Sequence, residues 1–561
     1  MTFGEIRNRA ISEWEALEHS DKPRILVGTA TCGQAAGALA VVEAINSELV
    51  RRNIDAIVAQ VGCIGLCYAA PLVNIIKPNR PHICYGNITP EIIPQLIEDY
   101  IINDNPRSDL ALGTIGDGGI DGIPKLFELP MLKPQVRIVL RNCGFVDPEN
   151  INHYIANGGY SSLVKALGMT PEKIIEEVKK SGLRGRGGGI GFPTGLKWEL
   201  CRKSPGTVKY LICNAHEGDP GTFVDRTLLE SDPHTVVEGM LIAAYAIGTS
   251  EGYIYIGDEY PLAVERVRIA LKQAREYGLL GDAVLGSGFS FNVEIRRGAG
   301  AFITGEETAL IESMERGRGV PRIRPPYPVY HGLWGKPTNV NNVETLANTP
   351  AIIEKGGDWY AGIGTEGSKG TKLFSLSGNI AYTGVAEVPF GLPLRRLVED
   401  IGGGIANGRK LKALHPGGAM LGLIPASLID QPIDFEGLAS IGSSVGSGGM
   451  IVIDESACLV DVVHMLMSFA YSESCGKCSI GRLGTKQMLG FLQDATNGKG
   501  QPEDMDLLTE LSESLALGSF CPLCGGAADP VVSLLTYFRD ELEAHIKEHH
   551  CPTGVCQELS E

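Results

Sequence analysis

The sequence predicts a multidomain α/β protein that ends in a helical, cysteine-bearing region. Three observations predict it. The chain has 561 residues, several times the ~150 of a usual domain. Its 43% apolar and 20% charged content is ordinary for a globular protein with a sizeable core. Short strand-like runs alternate with amphipathic stretches over most of the chain, and the pattern turns helical from residue 455 onward.

The chain opens on "MTFGEIRNRAISEWEALEHS", which reads as a charged helix. It lacks the apolar centre of a signal peptide, and no apolar run reaches the ~18 residues that span a bilayer. The expectation is a cytoplasmic protein with no membrane span. A net charge of −17 argues against a nucleic-acid partner, because phosphate binding needs a basic face.

Residues 1–105 hold the first predicted unit. "RILVGTAT" reads as a strand, "GQAAGALAVVEAINSELVRRN" as a helix and "IDAIVAQVG" as a strand. "PLVNIIKP" and "HICYGNI" are two more strands, and "PEIIPQLIEDYI" is a closing helix from Pro90. That order, βαβ then ββα, is thioredoxin-like. Residues 106–150 read as a linker and 151–370 as a glycine-rich bulk. Residues 371–435 form a compact β-grasp-like (SLBB-like) insert, 436–545 a helical region and 546–561 a Cys/His tail.

The 72 glycines are clustered. "SGLRGRGGGIGFPTGLKWEL" (181–200) places six of them within residues 182–191, interleaved with Arg184 and Arg186 and followed by Lys197. Glycine lets backbone N–H groups face an anion, and basic residues add charge. The loop is neither a Walker loop nor the usual dinucleotide fingerprint. A plain surface loop is the bland alternative.

The 14 cysteines matter by placement. The close pairs 63/67, 475/478, 521/524 and 551/556 suggest metal or redox sites rather than disulfides. Cys143 and Cys201 stand alone and read as buried thiols. Two C-x2-C pairs, 475/478 and 521/524, are separated by 42 residues. By spacing alone they suit structural zinc and iron–sulfur about equally.

The motifs "GLRGRGG…GFPTGLKW", "CNAHEGDPGTFVDR" (213–226), "GAGAFITGEETALIES" (298–313), "PRIRPPYP" (321–328) and "GKPTNVNNVET" (335–345) occur in this order. In this the chain resembles the NADH-oxidising flavoprotein subunit of complex I, over roughly residues 150–545. With its thioredoxin-like extension it is closest to the branch found in NAD-linked, electron-bifurcating hydrogenases and formate dehydrogenases. The resemblance implies a Rossmann-like FMN domain in which NADH stacks on the flavin. Hydride passes to FMN, and single electrons leave through Fe–S clusters to partner subunits.

The resemblance places the loop of Gly185, Arg186, Gly187 and Gly188, with Lys197, on flavin and nucleotide. Asn214 and Glu217 line the flavin, and Asn341, Asn342 and Thr345 bind ribityl and phosphate. Glu306 and Glu307 face the NADH side, Phe192 sandwiches adenine, and Arg324 and Tyr327 border the dinucleotide. Glu217 and His216 are the catalytic candidates. The loop is one residue longer than the family's, Thr304 replaces the usual residue before "GEET", and His216 replaces an aspartate. A positively charged His216 would raise the flavin potential.

The resemblance also selects iron–sulfur for the C-x2-C pairs. The family's [4Fe–4S] site has a third cysteine where this chain has Gly481, and a glycine where it has Cys524. The expected ligands are Cys475, Cys478, Cys521 and Cys524. The N-terminal unit resembles thioredoxin-like [2Fe–2S] ferredoxins but offers only Cys32, Cys63 and Cys67, since Gly37 stands where another cysteine might fall; Cys84 is the remaining candidate. Cys458, His545, Cys551 and Cys556 are candidate zinc ligands, against a frayed tail as the bland reading. The expected partners are a ferredoxin-like [2Fe–2S] subunit and a catalytic subunit such as a hydrogenase, formate dehydrogenase or other reductase. The competing reading is an FMN/Fe–S electron-transfer subunit that exchanges electrons with ferredoxin or other proteins and does not use NAD productively.

Overall fold

The computed structural model describes residues 2–189, 191–315 and 317–559. Ile190, within the expected glycine loop, lies outside them. The described chain is mixed α/β, with three sheets and a helical C-terminal region. Among the described residues no helix is long and apolar enough to cross a membrane.

The opening segment folds as the helix Phe3–Glu18, with Thr2 and Glu5 closing a reciprocal capping box at its start. The first sheet contains β1 (Arg24–Gly28), β2 (Ile57–Val61), β3 (Val73–Ile76), β4 (His82–Tyr85) and β5 (Ala111–Ile115), in the order β2-β1-β3-β4-β5. β1 and β2 are parallel and the other pairs antiparallel. The helix expected from residue 33 is broken at Gly37, whose φ of 97° starts a new helix at Ala38.

β5 falls inside the stretch expected as a linker. That stretch is also docked further on: the amides of Ile138, Val139 and Leu140 donate to the buried Glu387 carboxylate at 2.8, 3.0 and 3.0 Å. Composition suggested a linker because its turn-rich sequence hides a short edge strand.

The second sheet is fully parallel: β6 (Tyr210–Ala215), β7 (Glu251–Gly257), β8 (Asn292–Gly298) and β9 (Thr338–Asn342), in the order β8-β7-β6-β9. β6 and β7 are apolar and buried almost throughout, as strands covered on both faces must be. The helix Pro233–Ile247 is buried nearly all round and packs in the same core as Val343, Leu346 and Ile352.

The third sheet holds β10 (Thr371–Gly378), β11 (Gly384–Pro389), β12 (Leu411–Pro416), β13 (Ile424–Pro425) and β14 (Gly449–Asp454), in the order β11-β10-β14-β12-β13. β14 pairs parallel with β10 and antiparallel with β12 at the centre of the sheet. The insert therefore runs past residue 435, into the stretch expected to be helical. The helices Leu459–Ser472, Ser479–Thr496, Asp504–Gly518, Asp529–Tyr537 and Arg539–Lys547 follow around their own core.

Candidate active site and metal centres

In an open parallel sheet, ligands bind past the carboxyl ends of the strands where the strand order reverses. Here that point lies between β6 and β9, and Asn214 faces Asn342 across the register. The motif residues gather there. Asn342 caps the helix Val343–Lys355, its side chain accepting from the Thr345 amide at 3.2 Å. Thr345 Oγ1 in turn accepts the Arg186 amide at 2.9 Å, so the glycine loop is tied over the end of β9. A Cβ on Gly187 would stand 2.8 Å from the Asn342 Cβ, which explains glycine at that point of closest approach. Gly185 closes the loop through its amide to the Phe192 carbonyl at 2.9 Å. Gly188, with a φ of 105°, adjoins Ser447 of the third sheet's loops.

The two arginines depart from the anion-binding expectation. Arg186 is fully buried and donates to the carbonyls of Thr371, Arg184 and Lys369 and to the Tyr360 hydroxyl. Arg184 stacks on Phe435 and pairs with Glu436 at 2.6 Å. Both side chains pin the loop, and its backbone is left as the donor surface.

Lys197 meets Glu307 at 2.7 Å and the Val340 carbonyl at 2.8 Å. Burial opposes ionisation of Glu307, but Lys197 and Arg324 outweigh it and hold its carboxyl below the usual range. Glu306 caps the helix Glu307–Met314 through the amides of Thr308 and Ala309, and its Oε1 is buried with no hydrogen-bond partner among the described residues. Arg324 lies 3.8 Å from Glu306 and 3.6 Å from Glu307. Phe192 and Tyr327 present half-exposed rings. Asn341 is buried and accepts from Trp198 Nε1 at 2.8 Å.

Glu217 is not a free carboxylate. It accepts the amides of Val224, Asp225 and Arg226 at 2.7, 2.9 and 3.0 Å, capping the helix Val224–Ser231. Burial outweighs these bonds and raises its pKa to about 6. His216 is buried, and neither ring nitrogen has a hydrogen-bond partner among the described residues. Burial lowers its pKa below the ordinary value, the Glu259 charge offsetting only part of this. The shift is toward the neutral ring and away from the positive group expected there.

Asp219 and Asp225 lie in the same motif as His216, and sequence reasoning missed them because nothing in the motif distinguishes them from other acidic residues. Asp225 is buried and Asp219 half-buried, and each has a buried Oδ1 with no hydrogen-bond partner among the described residues. Asp225 also accepts from Asn342 Nδ2. Unpartnered buried polar atoms on His216, Asp219, Asp225 and Glu306, beside a glycine cradle, suit a polar ligand such as a flavin nucleotide.

This crevice runs on into the cysteine quartet. Asn214 donates to the Gly305 carbonyl at 2.8 Å, and a Cβ on Gly218 would lie 3.0 Å from both the His216 ring and the Phe302 ring. Phe302 packs edge-on against Phe469 and donates its amide to Glu473 at 2.9 Å. Ile303 and Ala309 share one apolar cluster with Cys521, Leu523 and Cys524, against which Cys475 packs. Gly481 faces this group: a Cβ there would stand 2.6 Å from Cys524 Sγ and 2.8 Å from Cys478 Sγ.

Two other groups bring ligand atoms within 4.8 Å of one another. Cys458, His545, Cys551 and Cys556 are all buried. His545 Nε2 lies 3.3 Å from Cys458 Sγ and 3.5 Å from Cys556 Sγ, while Nδ1 donates to the Glu541 carbonyl at 2.8 Å. The tail is thus packed, not frayed. Cys32, Cys63 and Cys67 form the second group, which Cys84 does not join.

These features define a class: an oxidoreductase flavoprotein component that pairs a nucleotide crevice with an adjoining iron–sulfur region. Residues 178–351 match the Nuo51 FMN-binding domain, and residues 461–545 match the NADH-ubiquinone oxidoreductase-F iron-sulfur binding region. The chain is 50% identical over 427 residues to the NADP-reducing hydrogenase subunit HndC of Solidesulfovibrio fructosivorans, covering 76% of this chain and 87% of that one. It is 46% identical over 416 residues to an F-type NADH-quinone oxidoreductase subunit of Rhizobium meliloti, covering 74% and 99%. The crystal structure of an NAD+-reducing [NiFe]-hydrogenase in the H2-reduced state is similar with a TM-score of 0.66 at 29% identity, covering 97% of this chain and 87% of that one.

The chain belongs to the family of F-type subunits of NADH-quinone oxidoreductase. It is an NADH-binding component of a redox complex, with FMN and a [4Fe–4S] region that passes electrons on to partner subunits.

Proposed function

We propose that the crevice between β6 and β9 binds FMN, with NADH entering over Phe192 and Tyr327. FMN, when bound, supplies the exchange between two-electron hydride and one-electron chemistry. The glycine-loop amides and the start of the helix Val343–Lys355 face its phosphate. Asn214, Asn341, Asn342 and Thr345 hold its polar edge. Lys197, Glu306, Glu307 and Arg324 orient the dinucleotide. Asp225 joins this group beside Asn342. Glu217 acts by fixing the helix Val224–Ser231, a positioning role rather than proton transfer.

Cys475, Cys478, Cys521 and Cys524 hold the cluster, Cys524 standing in for a thiolate at 481. In fold terms the parallel sheet is Rossmann-like, the first sheet thioredoxin-like and the third β-grasp-like. The partners are a small [2Fe–2S] ferredoxin-like subunit and a catalytic subunit of hydrogenase, formate dehydrogenase or other reductase type. Cys458, His545, Cys551 and Cys556 form a closed zinc site, with Nδ1 of His545 oriented by the Glu541 carbonyl.

The observation that carries the main reading is the continuity from the glycine cradle, through His216 and Phe302, to the cysteine quartet. Anaerobic NADH added to the flavin-loaded chain should bleach the flavin absorption and reduce the cluster. No bleaching by NADH, with bleaching by reduced ferredoxin, would instead support an electron-transfer component that does not use NAD.

A further inference from the structure

The N-terminal thiols do not fit the [2Fe–2S] cluster that their fold suggests. Such a cluster takes four protein ligands, two on each iron. Among the described residues only Cys32, Cys63 and Cys67 converge. Cys84 faces the apolar core beside Leu66, Ala69 and Leu72. The first ligand expected after Cys32 is replaced by Gly37, where an added Cβ would meet nothing within 4 Å.

The spacing is also that of one ion. Zinc–sulfur bonds of about 2.3 Å set two thiolates on one tetrahedral ion ~3.8 Å apart. Cys63 Sγ and Cys67 Sγ lie 3.8 Å apart, and all three sulfurs lie within 4.8 Å of one another. Two thiolates on one iron of a binuclear cluster would stand as close as Cys63 and Cys67, but a third on the other iron would lie further off than Cys32 does. The quartet 475/478/521/524, which is read as a cluster site, is not among the groups drawn this close.

Two of the three thiols, Cys32 and Cys67, border a cavity of about 180 Å³, which also meets Thr31, Phe223, Arg226, Thr227 and Glu230. Arg226 stacks against Phe223 and Tyr260 and brings a guanidinium to this space. A divalent ion with three thiolates carries one net negative charge; Arg226 offsets it from across the cavity, while the Glu230 carboxylate is engaged by the amide and hydroxyl of Thr31. The cavity leaves the fourth coordination position open to water or a small anion.

We propose that Cys32, Cys63 and Cys67 bind a single thiophilic divalent ion, zinc, with its fourth position open to this cavity. Each thiol releases its proton on binding, so uptake is steeper at higher pH. The ion fastens the loops after β1 and β2 together where they meet the helix Val224–Ser231. At that junction Thr31 donates to Glu230 at 2.8 Å and the Cys63 amide donates to Ser231 at 3.0 Å. The site stands apart from the flavin reading and does not depend on it.

The test is metal and acid-labile sulfide analysis of the full chain purified anaerobically, with Cys32→Ser, Cys63→Ser and Cys551→Ser variants. The expected result is loss of about one zinc equivalent in Cys32→Ser and in Cys63→Ser, with iron, sulfide and flavin retained. Cys551→Ser should lose a different equivalent from the C-terminal site, so its loss adds to the first in a double variant. Cobalt(II) exchanged into the wild type should give thiolate-to-cobalt charge-transfer bands that Cys63→Ser removes; this readout stands even if a variant folds poorly. Iron and sulfide falling together by about two equivalents in the N-terminal variants would overturn the proposal in favour of a [2Fe–2S] cluster. Unchanged zinc together with unchanged cobalt spectra would overturn it outright.

Discussion

Gly481 and Cys524 occupy one space: a side chain on residue 481 would begin 2.6 Å from the Cys524 sulfur. The two positions are therefore alternatives. A thiol from one helix start takes the room that a side chain from the other would need. A cysteine at 481 and a cysteine at 524 cannot both be seated without a shift.

Cys524→Ser should lose most of the cluster iron and its spectroscopic signal. Adding Gly481→Cys in that background should restore a substantial part, because a smaller hydroxyl then stands where the Cys524 sulfur crowds position 481. Gly481→Cys alone should lower stability by about 1–3 kcal/mol through overpacking. Iron content and denaturation midpoints check the three variants; full iron in Cys524→Ser would sink the assignment.

Lys197→Met should leave Glu307 ionised without its main partner. Breaking a partly buried pair of this kind costs roughly 1–3 kcal/mol. Because Lys197 holds the Glu307 carboxyl below its ordinary range, the stability it contributes is present above the unfolded carboxyl pKa. It is lost as pH falls through the folded value. The difference in urea midpoint between wild type and Lys197→Met should therefore shrink on acidification.

Glu217 has the opposite sign. Its folded pKa of about 6 exceeds the ordinary 4.5, so the folded chain binds the extra proton between these values. Stability from this group falls as pH rises through that window and is level above it. Glu217→Gln removes the effect. Its destabilisation relative to wild type should be larger near pH 5 than near pH 7.5, measured by denaturant titration. An unchanged gap would show that the carboxyl is ionised throughout.

A neutral His216 should have little electrostatic effect on the flavin between pH 7 and pH 8. His216→Gln should leave the two-electron potential unmoved there. A displacement beyond ~30 mV, which corresponds to ~1.4 kcal/mol for this couple, would show that the ring carries charge.

Deleting the chain after Glu548 removes Cys551 and Cys556. Zinc content should fall by about one equivalent while flavin and iron stay. Unchanged zinc would remove Cys458 and His545 from the proposed C-terminal site.

The broad α/β organisation and the gathering of the motifs were legible in the sequence, because glycine clusters and cysteine spacings encode local geometry directly. His545, Cys551 and Cys556 were readable as closely spaced candidate ligands, with Cys458 only a possible fourth from far along the chain, and the four ligand atoms lie together. Other features were not legible. β5 and β14 are short strands whose pairing is decided by distant partners, so periodicity alone assigned one to a linker and the other to a helical region. Arg184 and Arg186 looked like anion ligands because charge beside glycine suggests one, whereas the carbonyls and Glu436 that engage them come from the chain beyond residue 360 as well as from the loop itself. Glu217, Glu306 and Asn342 carry polar groups that a motif presents as ligands, yet each caps a helix.

The helix Val224–Ser231 has a further consequence. Glu217 holds its first amides at the nucleotide crevice, while Glu230 and Ser231 at its far end grip the loops that carry Cys32 and Cys63. Eight residues at ~1.5 Å each set these ends ~12 Å apart. Both ends of this one helix are therefore held by groups at the two places. Any occupant of the crevice that displaces it must alter affinity at the thiols, and the thiols' occupant must alter affinity at the crevice by the same factor.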